Sequence, residues 1–245
     1  MDVLITTAPK DFNKLPFVVE SIIRSHAKLG LRFFFVSPCA IPDEYMFIDG
    51  QYLLDREVVD FDFSLINMKH RRGWYRQQFI KLFQKVTSDQ YTVFDSDIWV
   101  GKQLIDNERF PTFFIGKDQF HQPYFDLMGE VVNVGREFHH SFISEIMMFD
   151  RLLIQDMLTR IHVDEQGFFD ECVKFINKAG DPSGFSEYEL YGNYVFKYHP
   201  AKYQFKNIRV SGKALPRDWT TEEIQKYIKQ KKNQGYDLLT MHSWL

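Results

Sequence analysis

Cysteine is nearly absent from this 245-residue chain: Cys39 and Cys172 are its only two, far apart and in no CxxC pair. That excludes a zinc framework and a disulfide scaffold, and makes a reducing compartment the simpler setting. No apolar stretch reaches the ~18 residues that span a bilayer. The opening MDVLITTAPKD lacks a basic region and has one short apolar run, Val3–Thr7, so it reads as a strand rather than a targeting signal, and the expected location is cytoplasmic. An excess of one charge is lacking too. Lys and Arg total 30 against 33 Asp and Glu, a net charge of −3, which implies no general attraction to nucleic acid or acidic membranes. The glycine-rich phosphate loop, the dinucleotide fingerprint, the His-Glu-x-x-His zinc helix and the Gly-x-Ser-x-Gly elbow are all missing. Repeats, low-complexity tracts and an obvious interdomain linker are missing as well.

What is present is a globular composition, 44% hydrophobic and 26% charged, with 17% aromatic residues. A chain of this length suits one large domain with an ample core, expected here over residues 1–245. The aromatics must fill much of that core, with rings left over for stacking on a flat ligand. Asp2–Thr7 reads as a strand. Leu15, Val18, Val19, Ile22, Ile23 and His26 recur at helical spacing up to Gly30, and Leu31–Val36 is a second buried strand. A helix between two buried strands predicts a parallel sheet. Tyr75, Phe79, Leu82, Phe83 and Val86 mark another helix, followed by a turn at Ser88–Gln90 and the buried strand Tyr91–Phe94. Short strands are expected at Thr112–Gly116 and Glu130–Val134, helices at Glu145–Arg160 and Glu165–Lys178, and a last strand at Tyr236–Met241. Capping signatures stand at Ser186-x-x-Glu189 and Thr220-x-x-Glu223.

The strongest chemical signal is YTVFDSDIWV, residues 91–100. Residues two apart on an extended chain face the same side, so Asp95 and Asp97, with Ser96 between them, address one point beyond a strand's carboxyl end. Open α/β sheets bind ligands there. Two carboxylates so placed repel unless a cation joins them. Mg2+ or Mn2+, oxygen-seeking and completed by substrate phosphates, is the expected occupant. The bland alternative is a pair of acids in a solvated turn. The preceding helix, HRRGWYRQQFIKLFQK (residues 70–85), sets Arg72 and Arg76 one turn apart and Gln77 and Lys81 likewise. Such a face suits a diphosphate with its base or sugar, or equally is a solvated helix surface.

The combination of GWYRQQFIKL, VFDSDIWV and FSEYELYGNY (185–194) resembles GT-A nucleotide-sugar glycosyltransferases, in particular small bacterial and viral ones. The resemblance implies a Rossmann-like α/β domain with a mainly parallel sheet flanked by helices, residues 1–100 binding the nucleotide-sugar and 101–245 the acceptor. It gives Asp95 and Asp97 the role of holding Mn2+ or Mg2+ on the donor diphosphate. It places base and ribose, those of a UDP-sugar by preference, at Thr6, Thr7 and Ala8. His242 corresponds to a histidine that some members add as a metal ligand, or else is a surface residue at a chain end. The activity implied is transfer of a hexose or pentose to a hydroxyl of a glycan or related acceptor.

An inverting transfer needs a base for that hydroxyl. Glu189 has a local task in the cap of Ser186, whereas Glu187, in the helix's first turn, has none and is the candidate; Asp181, in the turn Gly180-Asp181-Pro182, is the reserve. A retaining transfer needs no such base, and both outcomes remain open. Trp99, Tyr188, Tyr191 and Tyr194 are candidates for stacking on sugars, with packing the alternative for Tyr191 and Tyr194. Phe142, Ile146, Phe149, Leu153 and Met157 form one helical core face, and Glu145 lies beside the acceptor pocket. His139 and His140 point opposite ways on an extended chain and read as loop residues. Two rival classes stand beside the transferase. A binding module on the same fold would keep glycan affinity in Asp95→Asn. A phosphohydrolase with Asp95 as nucleophile is disfavoured, because in the haloacid-dehalogenase pattern the motif ends the first strand and Thr or Val stands where Trp99 does.

Overall fold

Alternation along the first strands decides the layering. The computed structural model describes residues 1–46, 48–106, 111–116, 118–214 and 219–242. In β1 (Asp2–Thr6), Val3 and Ile5 face one layer and Leu4 the other; in β2 (Arg32–Ser37), Phe33 and Phe35 oppose Phe34 and Val36. Both faces are covered. Helix α1 (Leu15–His26) packs Leu15, Val19 and Ile22 against the first set. After β3 (Gly50–Leu54) and the short α2 (Asp55–Val58), helix α3 (Arg72–Phe83) packs Tyr75, Phe79 and Phe83 against the second. Phe79 sits among the rings of Phe61, Phe63, Phe83, Phe168, Phe169 and Phe185 at centroid distances of 4.9–6.3 Å. Much of the aromatic content is therefore core, where such contacts add to area burial.

The chain continues through β4 (Gln90–Phe94), β5 (Ile98–Val100), β6 (Thr112–Ile115), α4 (Gln122–Val132), β7 (Ile146–Asp150), α5 (Arg151–Arg160), α6 (Glu165–Ala179) and α7 (Glu187–Tyr198). Then follow β8 (Gln204–Asn207), β9 (Val210–Ala214), α8 (Thr221–Lys232) and β10 (Leu238–His242). The central sheet has the order β3-β2-β1-β4-β7, with β7 antiparallel to β4 and the other pairs parallel. This is the mixed, mainly parallel α/β architecture expected. Smaller sheets β5-β10-β9 and β6-β8 flank it. Among the described residues no helix is long and apolar enough to cross a membrane.

Three expected elements differ. Glu130–Val134 is not a strand but the end of α4 and its cap: Phe125, Met128 and Val132 recur at helical spacing and are buried, and Asn133 closes the helix in the left-handed region. The expected helix Glu145–Arg160 is a strand followed by a helix. Ile146–Phe149 are all buried, so the strand shows no period, and Asp150 caps α5 by accepting from the Leu152 amide (2.9 Å). Helix α3 stops at Phe83, short of Val86, because the Gln84 side-chain oxygen accepts from the amides of Val86 and Thr87.

Candidate functional site

Three strands and two helices converge beyond the carboxyl end of β4. The Asp95 amide donates to the Glu145 carbonyl (3.0 Å) and the Met241 amide to the Asp97 carbonyl (2.6 Å), so the motif is fixed to the turn before β7 and to β10. Around it lies a cleft of about 250 Å3, lined by Thr6 from β1, Gln77, Gln78 and Lys81 from α3, Ser186, Glu187 and Tyr188 at the start of α7, and Glu145 and His242. A larger hollow of about 820 Å3 lies elsewhere, beside Phe61, Phe83 and Leu158. Its Lys85 and Glu165 pair with each other (3.0 Å), and its Asp164 accepts from the Gly167 amide (2.8 Å) as the cap of α6.

Each charged group of the cleft answers another. The Lys81 ammonium lies 2.7 Å from Asp95 Oδ1 and 2.7 Å from Glu187 Oε1, and the Tyr188 hydroxyl donates to the same Asp95 oxygen (2.8 Å). Burial alone would lower the Lys81 pKa, but the two carboxylates push it above its ordinary value. For Glu187, burial raises the pKa and Lys81 opposes the rise. The Gln78 amide nitrogen, placed toward acceptors, donates to Glu187 Oε2 (2.9 Å) and to the Phe185 carbonyl (2.7 Å).

On the opposite side, His242 stands between two acids: Nδ1 is 3.0 Å from Asp97 Oδ2 and Nε2 is 3.5 Å from Glu145 Oε1. Burial would lower the imidazole's pKa, yet these two partners raise it to about 10. Asp97 answers in kind. Burial would raise it, but the His242 hydrogen bond, with Lys14 and Lys10 behind, holds it below the ordinary carboxylate value. Burial carries Glu145 up to about 7 against the pull of His242. Glu145 also has φ = +62°, a left-handed conformation uncommon for a residue with a side chain. Asp11, tied to Lys14 (2.7 Å), completes the acidic rim, and its pKa is raised by burial and by Asp97.

Of the residues singled out in the sequence, Thr6, Gln77, Lys81, Asp95, Ser96, Asp97, Glu187 and His242 line this one cleft, and Glu145 joins them. Others do not. Arg72 donates to the Ile66 and Ser64 carbonyls, and Arg76 pairs with Asp55 (2.8 Å), so α3 turns one guanidinium group toward the 64–66 segment and the other toward the start of α2. Thr7 and Ala8 lie behind Thr6. The Thr7 amide donates to the Val36 carbonyl and its hydroxyl is buried without a hydrogen-bond partner among the described residues, while the Ala8 carbonyl accepts from Asp11. Asp181 is outside as well: its carboxylate accepts from the Ser183 amide (2.7 Å) and faces His121 (3.1 Å). Trp99 is no groove residue, since β5 pairs with β10 and buries it against Ile224 and Tyr227. Tyr191 and Tyr194 are both buried, the first bonded to the Asp150 amide and Tyr203, the second to Asp156. Glu189 leaves the capping box half made. Ser186 accepts from the Glu189 amide, but the Glu189 carboxylate accepts from Ser141 and Asn193 instead.

Residues that the sequence did not single out include Lys10, Asp11, Trp74, Gln78, Gln119 and Tyr124 in the cleft, with Lys14 paired to Asp11. The signal for Asp11, Lys14 and Gln78 was slight: charges three apart in a segment entering an apolar helix, and one amide beside Phe79.

Carboxylates and an imidazole are donor types that divalent cations accept. Asp97 Oδ2 and His242 Nδ1 are hydrogen-bonded to each other (3.0 Å). Among the described residues no group of three or more His, Cys, Asp or Glu side chains is placed to hold a metal ion; Asp95 turns to Lys81 and Tyr188. An incomplete set is what Mg2+ or Mn2+ uses when substrate phosphates supply the remaining ligands.

Solved structures share this fold. A crystal structure of an active-site mutant of LgtC matches with a TM-score of 0.52 at 12% identity, covering 98% of this chain and 87% of that one. Galactosyltransferase LgtC in complex with donor and acceptor sugar analogs matches with a TM-score of 0.52 at 11% identity over the same shares. The architecture is therefore of the GT-A type. No curated protein sequence matches the chain. The chain belongs to a family of unknown function, DUF6492, matched over residues 42–217.

Proposed function

We propose that the protein is a metal-dependent glycosyltransferase that moves a sugar from a nucleoside diphosphate, UDP by preference, to a hydroxyl of a glycan or related acceptor. The observation that carries this reading is the convergence of Asp95, Asp97, His242, Lys81 and Glu187 in one cleft at the strand ends of a GT-A fold. Asp97 and His242 would hold the cation with Asp95 beside them. Bound there, Mn2+ or Mg2+ supplies charge that offsets the negative charge growing on the leaving diphosphate. Thr6 and Gln77 face the donor. Lys81 keeps Asp95 and Glu187 from repelling each other and opposes the rise that burial gives the Glu187 pKa. The Glu187 carboxylate accepts the acceptor hydroxyl's proton, which an inverting outcome requires. Residues 1–100, joined by His242, then serve the donor and the rest of 101–245 the acceptor within one domain. Unpaired Cys39 and Cys172 suit a reducing, cytoplasmic setting.

The test is thermal stability against UDP, GDP, CMP and ADP, each with and without Mn2+, on wild type and Asp95→Asn/Asp97→Asn. A ligand at 100 times its Kd adds about 2.7 kcal/mol. One nucleotide should raise the melting temperature, only with Mn2+, and the double variant should abolish the shift. No shift with any nucleotide would reject the transferase and favour a non-catalytic binding module.

A further inference from the structure

We infer that Glu145 is a positioning residue: its carboxylate holds one ring nitrogen of His242 so that the other nitrogen and Asp97 meet the cation together. The inference rests on the donor-site reading above and extends it to a residue that the Asp-x-Asp pattern does not include.

The imidazole has two nitrogens, and each faces an acid, Nδ1 toward Asp97 (3.0 Å) and Nε2 toward Glu145 (3.5 Å). A neutral imidazole that gives one nitrogen to a metal carries its proton on the other, and that N–H requires an acceptor when buried. The Glu145 side chain is 12% exposed and the His242 side chain 21%, so water is a poor substitute. A carboxylate in this place fixes the tautomer, the ring plane and the basicity of the ligating nitrogen.

The backbone strengthens the assignment. At φ = +62° the turn before β7 prefers glycine, which adopts this conformation without penalty. The carbonyl of Glu145 accepts from the Asp95 amide (3.0 Å), a bond that any residue makes equally well. What distinguishes Glu145 from the glycine the turn prefers is its side chain alone, and that side chain reaches His242. One residue thus ties both halves of the donor site, Asp95 through its main chain and His242 through its carboxylate.

Glu145→Gly and Glu145→Gln separate this role from a structural one. Free Mn2+ is followed by electron paramagnetic resonance during titration with UDP or GDP present, and melting is recorded without metal. Glu145→Gly relieves the left-handed backbone but leaves His242 with Asp97 as its acid partner, so metal-free melting should fall no further than in Glu145→Gln, while its Kd for Mn2+ rises 10- to 100-fold. Glu145→Gln, whose amide oxygen still accepts from the ring, should lose less. Wild-type Mn2+ affinity in both variants overturns the inference, as does a melting temperature that falls in step with affinity in both. Should wild type itself take up no Mn2+ with either nucleotide, the donor-site reading falls with it; uptake by wild type and variants alike removes the role of Glu145 only.

Discussion

Replacing Lys81 by Met tests the electrostatics of the cleft without opening a cavity, since the two side chains are of similar length. The ammonium is 8% exposed and lies 2.7 Å from both Asp95 and Glu187, whose side chains are 21% and 5% exposed. Removing one partner of a buried ion pair costs about 3–5 kcal/mol, because the remaining charge stays desolvated. Asp95 keeps the Tyr188 hydroxyl and more water, so the penalty falls mainly on Glu187, and we expect a loss of about 3 kcal/mol near pH 7.5. The pH dependence identifies the cause. Burial already raises the pKa of Glu187, with Lys81 opposing, so without Lys81 it rises further. A carboxyl with a raised folded pKa retains a proton that the unfolded chain has released, so its stability is lost as pH rises from the ordinary carboxyl range and regained on acidification. Urea unfolding of wild type and Lys81→Met should therefore show a deficit that shrinks to about 1 kcal/mol near pH 5. Adding Glu187→Gln to the Met variant should restore stability near pH 7.5. A deficit below about 1 kcal/mol at neutral pH, or one unchanged on acidification, would refute the reasoning.

Two other perturbations probe the scaffold. The His26 ring accepts the amides of Leu104 (3.1 Å) and Ile105 (3.2 Å) at Nε2, and burial depresses its pKa to about 4. The unfolded chain then binds the proton first, so this contribution is lost as pH falls from about 6.5 to 4 and amounts to about 3 kcal/mol; the stability difference between wild type and His26→Gln, read by urea unfolding across that range, should narrow accordingly. A Cβ at Gly192 would stand 2.1 Å from the Phe142 ring, so Gly192→Ala should destabilise by about 1–3 kcal/mol in thermal unfolding. It should also weaken nucleotide-dependent stabilisation, since α7 carries Glu187 and Tyr188 into the cleft.

That Asp95, Asp97 and Glu187 face one cleft was legible because a short buried strand and a helix's first turn leave few directions for a side chain. The first parallel unit was legible from period alone. Arg72 and Arg76 were misread for a different reason: helical spacing says that two residues share a face, not which neighbour occupies it, and here the segment at Ser64 and the start of α2 at Asp55 do. Ile146–Phe149 failed as a helix because buried strands and buried helices are equally apolar over four residues. Tyr191 and Tyr194 resolved to packing, the alternative their stripe with Tyr188 already offered. Glu145 was noticed beside the acceptor pocket, but its bond to His242 joins residues ninety-seven apart in sequence and depends on a turn conformation that no local pattern announces.

The most direct measurement is release of nucleoside diphosphate from a panel of UDP- and GDP-sugars with Mn2+, by wild type, Asp97→Asn and wild type with chelator. The account predicts release from one donor by wild type, lost in the variant and restored after chelation by added Mn2+. Release that survives both chelation and Asp97→Asn, or none from any donor, would contradict it.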